Sequence, residues 1–401
     1  MTERLYFLDS MLFSCDATVI SCAPCEKGFL VELDRTVFFP NKGGQPCDTG
    51  VIGDAAVSSC DEQNDRLLHL CNHPLEPGTP VKVQIDADRR FDIMQQHTGE
   101  HLLSWCAWKL FDATNVGFHC ALDYATLDLD KPLSHDQVLQ MECLANREAA
   151  KNAAVTAKEF ETEDALAASG IVLRKHAEGL IAPIRVVSIE GSDSCTCCAP
   201  HVKRTGEIGQ LKVIGELPYK GGVRLTFLCG MRALLHAQHI QDAIDAIALS
   251  FSTGRDNAVS AVEKQTSELS ETKKVLRQAY AALDDSIAKE LAKKAEIIRG
   301  VSVLVETLDH VDMKRLRALA LKTASKKSFC ALFSTIDDTI YYVLSSNGIQ
   351  HDMGELSKAV NLALGGKGGG RGSLAQGSSV KKNDFNETLD QLRHFFIRLF
   401  S

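Results

Sequence analysis

Several things are missing from this 401-residue chain, and each absence removes a class of protein. No apolar run approaches the roughly 20 residues of a membrane span. The N-terminus, Met-Thr-Glu-Arg-Leu-Tyr-Phe-Leu-Asp, lacks a long apolar core, and Asp9 interrupts its one short run. No secretory signal is read, so a cytosolic protein without membrane contact is expected. The 14 cysteines are too sparse for a small disulfide scaffold. In a reducing compartment they are free buried thiols or metal ligands. Positive charge is not in excess either: a net charge of −8 argues against a general nucleic-acid binder. A ligand met by a local basic face is still allowed, and Lys42, Lys203, Arg204, Lys212, Lys220, Lys367, Arg371, Lys381 and Lys382 lie near the motifs described next.

What is present is ordinary globular material, 45% hydrophobic and 24% charged, carrying two short clusters. They are His97-Thr-Gly-Glu-His101 and Cys197-Cys-Ala-Pro-His201, each pairing two zinc-type ligands at a spacing of four. Residues so spaced on a helix project from one face. Two imidazoles there can share a metal whose other ligands come from a distant segment, giving the four N/S donors of tetrahedral zinc. The first cluster differs from the H-E-x-x-H protease motif, because Glu100 stands beside the second histidine instead of following the first. Ser194-Cys-Thr-Cys-Cys198 offers three thiols, Cys195, Cys197 and Cys198. A structural zinc is the competing reading, although structural sites commonly use more thiolate in Cys-x₂-Cys knuckles.

Residues 1–88 read as strand-rich, with Gly28–Leu33 and Thr36–Phe39 as apolar stretches between turn residues. Residues 89–235 read as α+β. Helices are expected at about 91–111 and 135–158, and strands at Thr126–Leu129, Ile184–Ser188 and Val223–Leu228. Residues 236–299 read as a helical connector, either a long helical hairpin packing on itself or an intermolecular coiled coil, with Val262, Leu269, Leu276 and Leu283 recurring every seven residues. Residues 300–401 read as a small α/β unit, with strands at 301–305, 329–333 and 339–344 and helices at 310–325, 353–364 and 383–400. Within it, the glycine-rich stretch Gly365–Gly372 could be a linker by composition. It holds Lys367 and Arg371, and its backbone N–H groups could form a concave anion site. No Ser or Thr follows Lys367, so it is not a Walker A loop.

The stretches around both clusters, Arg89–Ser104 and Cys197–Gly209 with its Thr205-Gly-Glu-Ile-Gly209, closely resemble the editing domain of alanyl-tRNA synthetases and the free-standing alanyl-tRNA editing proteins. Gly43-Gly-Gln-Pro-Cys-Asp-Thr-Gly50 upstream and Gly365–Gly372 followed by Ala375-Gln-Gly377 match the same family in its order. The resemblance implies an α+β multidomain fold: an N-terminal β-barrel (1–88), a zinc-containing editing domain (89–235), a helical connector (236–299) and a glycine-rich α/β domain for tRNA binding or dimerisation (300–401). It implies one zinc per chain on His97, His101, Cys197 and His201, the CxxxH register selecting Cys197. Gly43, Gly44, Gln45, Gln96 and Thr98 are implied at the substrate pocket. His119 or Cys120 stands where the family often has a Ser or Thr hydroxyl that meets serine. Lys367 and Arg371 are implied tRNA contacts, and a homodimer through the connector or C-terminal domain is the implied assembly. The implied reaction is hydrolysis of tRNA(Ala) mischarged with serine or glycine. No single catalytic side chain is assigned. The alternatives are a catalytically idle zinc-containing tRNA-binding protein and a zinc hydrolase of another aminoacyl ester.

Overall fold

The structure is a computed structural model that describes residues 2–174, 182–380 and 384–401. Lys381 and Lys382 lie outside them. The chain forms two compact units, Met1–Ser250 and Phe251–Ser401.

The first unit opens with six strands: β1 (Ser14–Cys25), β2 (Gly28–Leu33), β3 (Gly50–Ile52), β4 (Ala55–Gln63), β5 (Arg66–Cys71) and β6 (Pro80–Ile85). They hydrogen-bond in the order β1-β2-β5-β4-β3-β6 and close back on β1 as a barrel. Alternation sends Ala55 and Val57 of β4 inward, and a register shift between Val57 and Ser59 turns Cys60 inward in turn. Thr36–Phe39 is mostly not strand: only Arg35–Thr36 pairs, while Val37, Phe38 and Phe39 plug the barrel core.

His69 is wholly buried in that core. Its Nδ1–H donates to the Val31 carbonyl at 3.0 Å, and its Nε2 accepts from Thr36 Oγ1 at 3.0 Å. Burial favours the neutral ring and lowers its pKa to about 4. The unfolded chain takes up this proton near pH 6.5. Stability from His69 is therefore complete above that pH and drains as pH falls from about 6.5 towards 4, by roughly 3 kcal/mol in all. Urea midpoints of the protein and of a His69→Gln variant should diverge in pH slope across this window. Parallel slopes would count against it.

Asp86 caps the central helix α1 (Ala87–Phe111) by accepting from the Arg89 N–H at 3.0 Å. From Ile93 to Ala107 this helix is buried on every side. It packs on an antiparallel sheet of β7 (Asn115–Cys120), β8 (Ala125–Leu129), β12 (Leu211–Tyr219) and β13 (Gly222–Cys229), ordered β12-β13-β8-β7. Gly99 permits the contact, since a Cβ there would strike Cys229 Sγ. A three-stranded sheet, β9 (Val155–Phe160), β10 (Ile184–Ile189) and β11 (Ser194–Thr196), stands in that order beside it. The second helix, α2 (His135–Ala150), stops short of the expected Lys158. Asn152 takes a left-handed conformation (φ 52°), and the β-branched Val155 and Thr156 start β9 instead.

One buried ion pair fastens α1 to the barrel. Arg90 Nε donates to Asp48 Oδ1 at 2.9 Å, and its Nη2 bonds Asp48 Oδ2 and the Val37 carbonyl. Asp48 also accepts from the Phe39 N–H at 2.6 Å. The chain between these anchors contains Gly43–Gln45.

The connector region holds two helices. Helix α3 (Met231–Ser250) ends the first unit and α4 (Ala258–Lys293) begins the second, with Ser252 (φ 52°) and Gly254 between them. Val262, Leu269, Leu276 and Leu283 are 41–53% exposed along α4, whereas Leu291 is buried.

The second unit is one six-stranded sheet of β14 (Glu296–Ile298), β15 (Val301–Asp309), β16 (Ser328–Ile336), β17 (Thr339–Asn347), β18 (Lys367–Arg371) and β19 (Leu374–Val380), ordered β14-β15-β16-β17-β19-β18. β15 and β16 run parallel, joined by the crossover helix α5 (Met313–Thr323). Helices α6 (Met353–Leu364) and α7 (Phe385–Phe400) cover the face that shows Val303, Phe329 and Phe333. Helices α4 and α5 cover the face that shows Leu304, Cys330 and Leu332. Covering both faces explains the near-continuous apolar runs read in the sequence. The glycine-rich stretch is a strand, not a loop: Lys367–Arg371 is β18, paired to β19 at the sheet edge. A Cβ on Gly368 would strike the Tyr342 hydroxyl, and one on Gly354 of α6 the Gly370 carbonyl. The glycines thus let α6 press onto this edge.

Candidate metal centre and cleft

His97 and His101 project from one face of α1, and the loop after β11 brings Cys197 and His201 to them. His97, His101 and His201 are 2–4% exposed. Cys197 Sγ lies 3.5 Å from His97 Nε2 and 3.3 Å from His201 Nε2. All four candidate ligand atoms fall within 4.8 Å of one another. Donors about 2.0–2.1 Å (N) and 2.3 Å (S) from a tetrahedral zinc would stand about 3.5 Å apart. The cluster therefore has the size of a tetrahedral shell.

The outer nitrogens fix which atoms face the centre. His97 Nδ1 meets Gln45 Oε1 at 2.5 Å, and His101 Nδ1 meets Asp193 Oδ2 at 3.2 Å. His201 Nδ1 meets Thr98 Oγ1 at 3.0 Å, and Thr98 gives its own proton to the Met94 carbonyl at 2.8 Å. Each Nδ1–H thus has an acceptor, which leaves the Nε2 lone pairs for a metal. Burial, aided by the neighbouring His101 and His97 and opposed by Cys197, holds His201 neutral, its pKa lowered to about 3. Burial opposes the Cys197 thiolate, but its electrostatic coupling to the surrounding imidazoles and its hydrogen bonds to them outweigh burial and hold its pKa well below that of an ordinary thiol. Arg185 of β10 pins this loop, its Nη1 donating to the Cys197 and Ala199 carbonyls at 2.8 and 3.0 Å.

Cys195 sits on the far side of His101, Sγ 3.5 Å from its Nδ1, and makes a second close group with Asp193. Burial raises its thiol pKa. Cys198 is exposed. Of the three neighbouring thiols, Cys197 is the one set among three imidazoles.

A cleft of about 530 Å³ opens beside the cluster. Gly43, Phe118 and Asn115 border it, and the buried Glu100 lines it more deeply. Gly43 and Gly44 both have positive φ (68° and 77°), and a Cβ on Gly44 would collide with the Phe118 carbonyl. The Cys120 N–H clamps the Gly44 carbonyl at 2.6 Å, so the Gly-Gly-Gln turn is sewn to β7.

Not every residue expected at the substrate pocket faces it. Gln96 is fully buried with its amide bonded both ways to the Cys229 backbone, 2.7 Å to N and 3.1 Å to O. Thr98 orients His201 as described. His119 and Cys120 border a separate hollow with Gly44 and Pro46. β7 carries a bulge nearer its start: Leu129 opposes Asn115 and Asp128 opposes Gly117, so Val116 is extra. The bulge turns Asn115 to the side of Phe118. Glu100, Asn115, Phe118, Asp193, Arg174 and Arg185 are site residues that the sequence reading did not assign. Lys367 and Arg371 are exposed at the two ends of β18.

Comparison with known proteins follows the same outline. Residues 184–226 match the threonyl and alanyl tRNA synthetase second additional domain, and residues 300–398 match the DHHA1 domain. The alanyl-tRNA editing protein AlaX-L of Pyrococcus horikoshii is 30% identical, over 98% of this chain and 99% of its own. The alanyl-tRNA editing protein Aarsd1 of Mus musculus is 29% identical over 93% of each chain. An alanine--tRNA ligase of Methanoculleus marisnigri is 31% identical over 91% of this chain but only 40% of its own. The C-Ala domain of Aquifex aeolicus alanyl-tRNA synthetase is 27% identical over 26% of this chain, with a TM-score of 0.24. With both ligand motifs meeting at one cleft and the archaeal editing protein matched nearly end to end, this chain belongs to the family of alanyl-tRNA editing proteins.

Proposed function

We propose that the protein hydrolyses, in trans, the ester joining a wrong amino acid to the 3′ end of tRNA(Ala), serine first and glycine second. The observation that carries the reading is the His97, His101, Cys197 and His201 cluster beside a cleft that bare Gly43 backbone borders. The chemical need is double-sieve editing: a synthetic pocket for alanine rejects glycine and serine too weakly, so a second site must remove the product. The donor set fits one zinc, which when bound would polarise or orient the ester. The four donors fill a tetrahedral shell, so we favour orientation with electrostatic help over water activation. Lys42, Arg174 and Arg185 give the cleft a cationic lining suited to the phosphates of a tRNA end. His119 and Cys120 are not retained as serine contacts. In the second unit, Lys367 and Arg371 remain our candidates for tRNA backbone contacts, and dimerisation through α4 or this unit remains the proposed assembly.

Deacylation of purified seryl-tRNA(Ala), alanyl-tRNA(Ala) and seryl-tRNA(Ser) tests the reading. The expected result is rapid release of serine from the first, at least about 100-fold above the other two, the discrimination that editing must add. Binding without hydrolysis would mark an idle tRNA-binding protein. Equal hydrolysis of both seryl esters would mark a hydrolase without the tRNA(Ala) preference.

A further inference from the structure

Glu100 is a carboxylate 4% exposed, on the wall of the cleft, and nothing above uses it. Its Oε1 is held twice, by the Ser104 hydroxyl and by Asn115 Nδ2 at 2.6 Å, and Asn115 Nδ2 also reaches Ser104 Oγ at 3.2 Å. Asn115 is itself fixed, its Oδ1 accepting from the Gly117 N–H at 2.8 Å. The side chain is therefore immobilised through one oxygen. Among the described residues, the other oxygen, Oε2, has no hydrogen-bond donor in range. His101 Nε2, one of the cluster atoms, lies 3.9 Å from it. The closest cation in the cleft, Arg174, is already committed to Asp193 at 2.7 Å. A carboxylate immobilised through one oxygen on the wall of a cleft keeps the other free to accept from a donor that enters.

The sign of charge says what that donor is. Among the described residues lining the cleft, Glu100 is the sole carboxylate, and Lys42, Arg174 and Arg185 are cations. An aminoacyl-tRNA end carries the complementary pattern, phosphates along the nucleotide and one α-ammonium next to the scissile carbonyl. The ester carbonyl belongs at the metal cluster, and Oε2 stands beside that cluster. We propose that Glu100 Oε2 binds the α-ammonium of the aminoacyl group, with Ser104 and Asn115 as the residues that position it. On this reading, which rests on the editing assignment above, the site selects esters with a free amine. It passes over esters whose amine is blocked or absent.

The test compares two tRNA(Ala) esters, one of serine and one of glyceric acid, in which a hydroxyl replaces the ammonium. Each is measured with the protein and with Glu100→Gln, so the intrinsic reactivities of the esters cancel in the double ratio. Glu100→Gln should lower kcat/KM on the seryl ester about 10- to 150-fold, the range for losing a charge-assisted hydrogen bond. It should change the glyceryl ester less than about 3-fold, with bound metal unaltered. An equal fall on both esters would assign Glu100 to holding the fold or the metal and would overturn the proposal. A measurement on the unaltered protein guards against a variant that does not fold: binding of 3′-amino-adenosine carrying serine in a non-cleavable amide link, against the glyceric acid amide. Preference for the serine amide by about 10-fold or more supports the proposal. Equal binding overturns it. Should the protein prefer the serine amide yet hydrolyse neither ester, the editing reading fails while the ammonium site stands.

Discussion

Replacing Cys197 with alanine should weaken metal binding by more than about 100-fold and abolish deacylation. Loss of a partner that merely orients a ligand costs about 10–100-fold, and Cys197 stands among the ligands themselves, 3.3–3.5 Å from two Nε2 atoms. Its thiolate is the one anionic donor of the four, so the remaining three neutral imidazoles hold a cation less well. The stability loss follows by linkage, about 2.7 kcal/mol or more for a hundredfold change in affinity at saturating metal. The link is strong because the ligands come from α1 and from a loop a hundred residues later, so bound metal ties distant segments. Elemental analysis and thermal melts with and without chelator check it. The chelated protein should melt where Cys197→Ala melts. Cys198→Ala is the control and should stay within about 0.5 kcal/mol, since Cys198 is exposed. Full metal content and activity in Cys197→Ala would move ligation to Cys195, the thiol 3.5 Å from His101 Nδ1.

The second large effect is expected at Arg90. Substitution by leucine removes a guanidinium that is 1% exposed and leaves Asp48, 3% exposed, as a buried unpaired anion. Breaking one side of such a pair costs about 3–5 kcal/mol. Removing both sides should cost less than the sum, so Arg90→Leu with Asp48→Leu should recover part of the loss in urea unfolding. Additive losses would show that the pair is not coupled. The variant should also loosen the turn that carries Gln45, because Asp48 and Arg90 hold the ends of that stretch to α1 and to Phe39. Metal affinity should then fall together with stability, unlike a change elsewhere in the core.

The sequence showed the candidate metal cluster because each pair of candidate ligands is local: four residues on a helix or a tight loop make a pattern without knowledge of the fold. The groups that orient those ligands were illegible for the opposite reason. Gln45 reaches His97 across 52 residues, and Asp193 reaches His101 across 92, distances at which no periodicity survives. Thr98 lies inside the motif, yet its use on His201 depends on the helix being buried on all sides. Asn115 was missed because of the extra residue at Val116, and Gln96 faces the Cys229 backbone for a separate reason, the burial of α1 on every side. The bulge puts Asn115 on the side of Phe118 and leaves no mark in composition. Strands such as Gly28–Leu33 were recovered to the residue because turns bound them on both sides. The end of α2 was overrun because alanine continues a helix well, and only Asn152 and β-branched residues stopped it.

The glycine-rich edge of the second unit has a consequence for solubility. An outermost strand offers unpaired backbone groups to any other extended chain, and aggregation begins at such edges. β18 is exposed along its whole length and has no side chains between its end residues to block an approach. Its two ends are closed by Lys367 and Arg371, and charge at an edge is a common guard against strand addition. The same two cations proposed to meet tRNA phosphates thus also repel a second copy of this edge, so neutralising them for a binding experiment would remove that protection as well. Glycine itself resists extended pairing through its backbone entropy, so the composition that lets α6 sit against this strand also makes it a poor template for a neighbour.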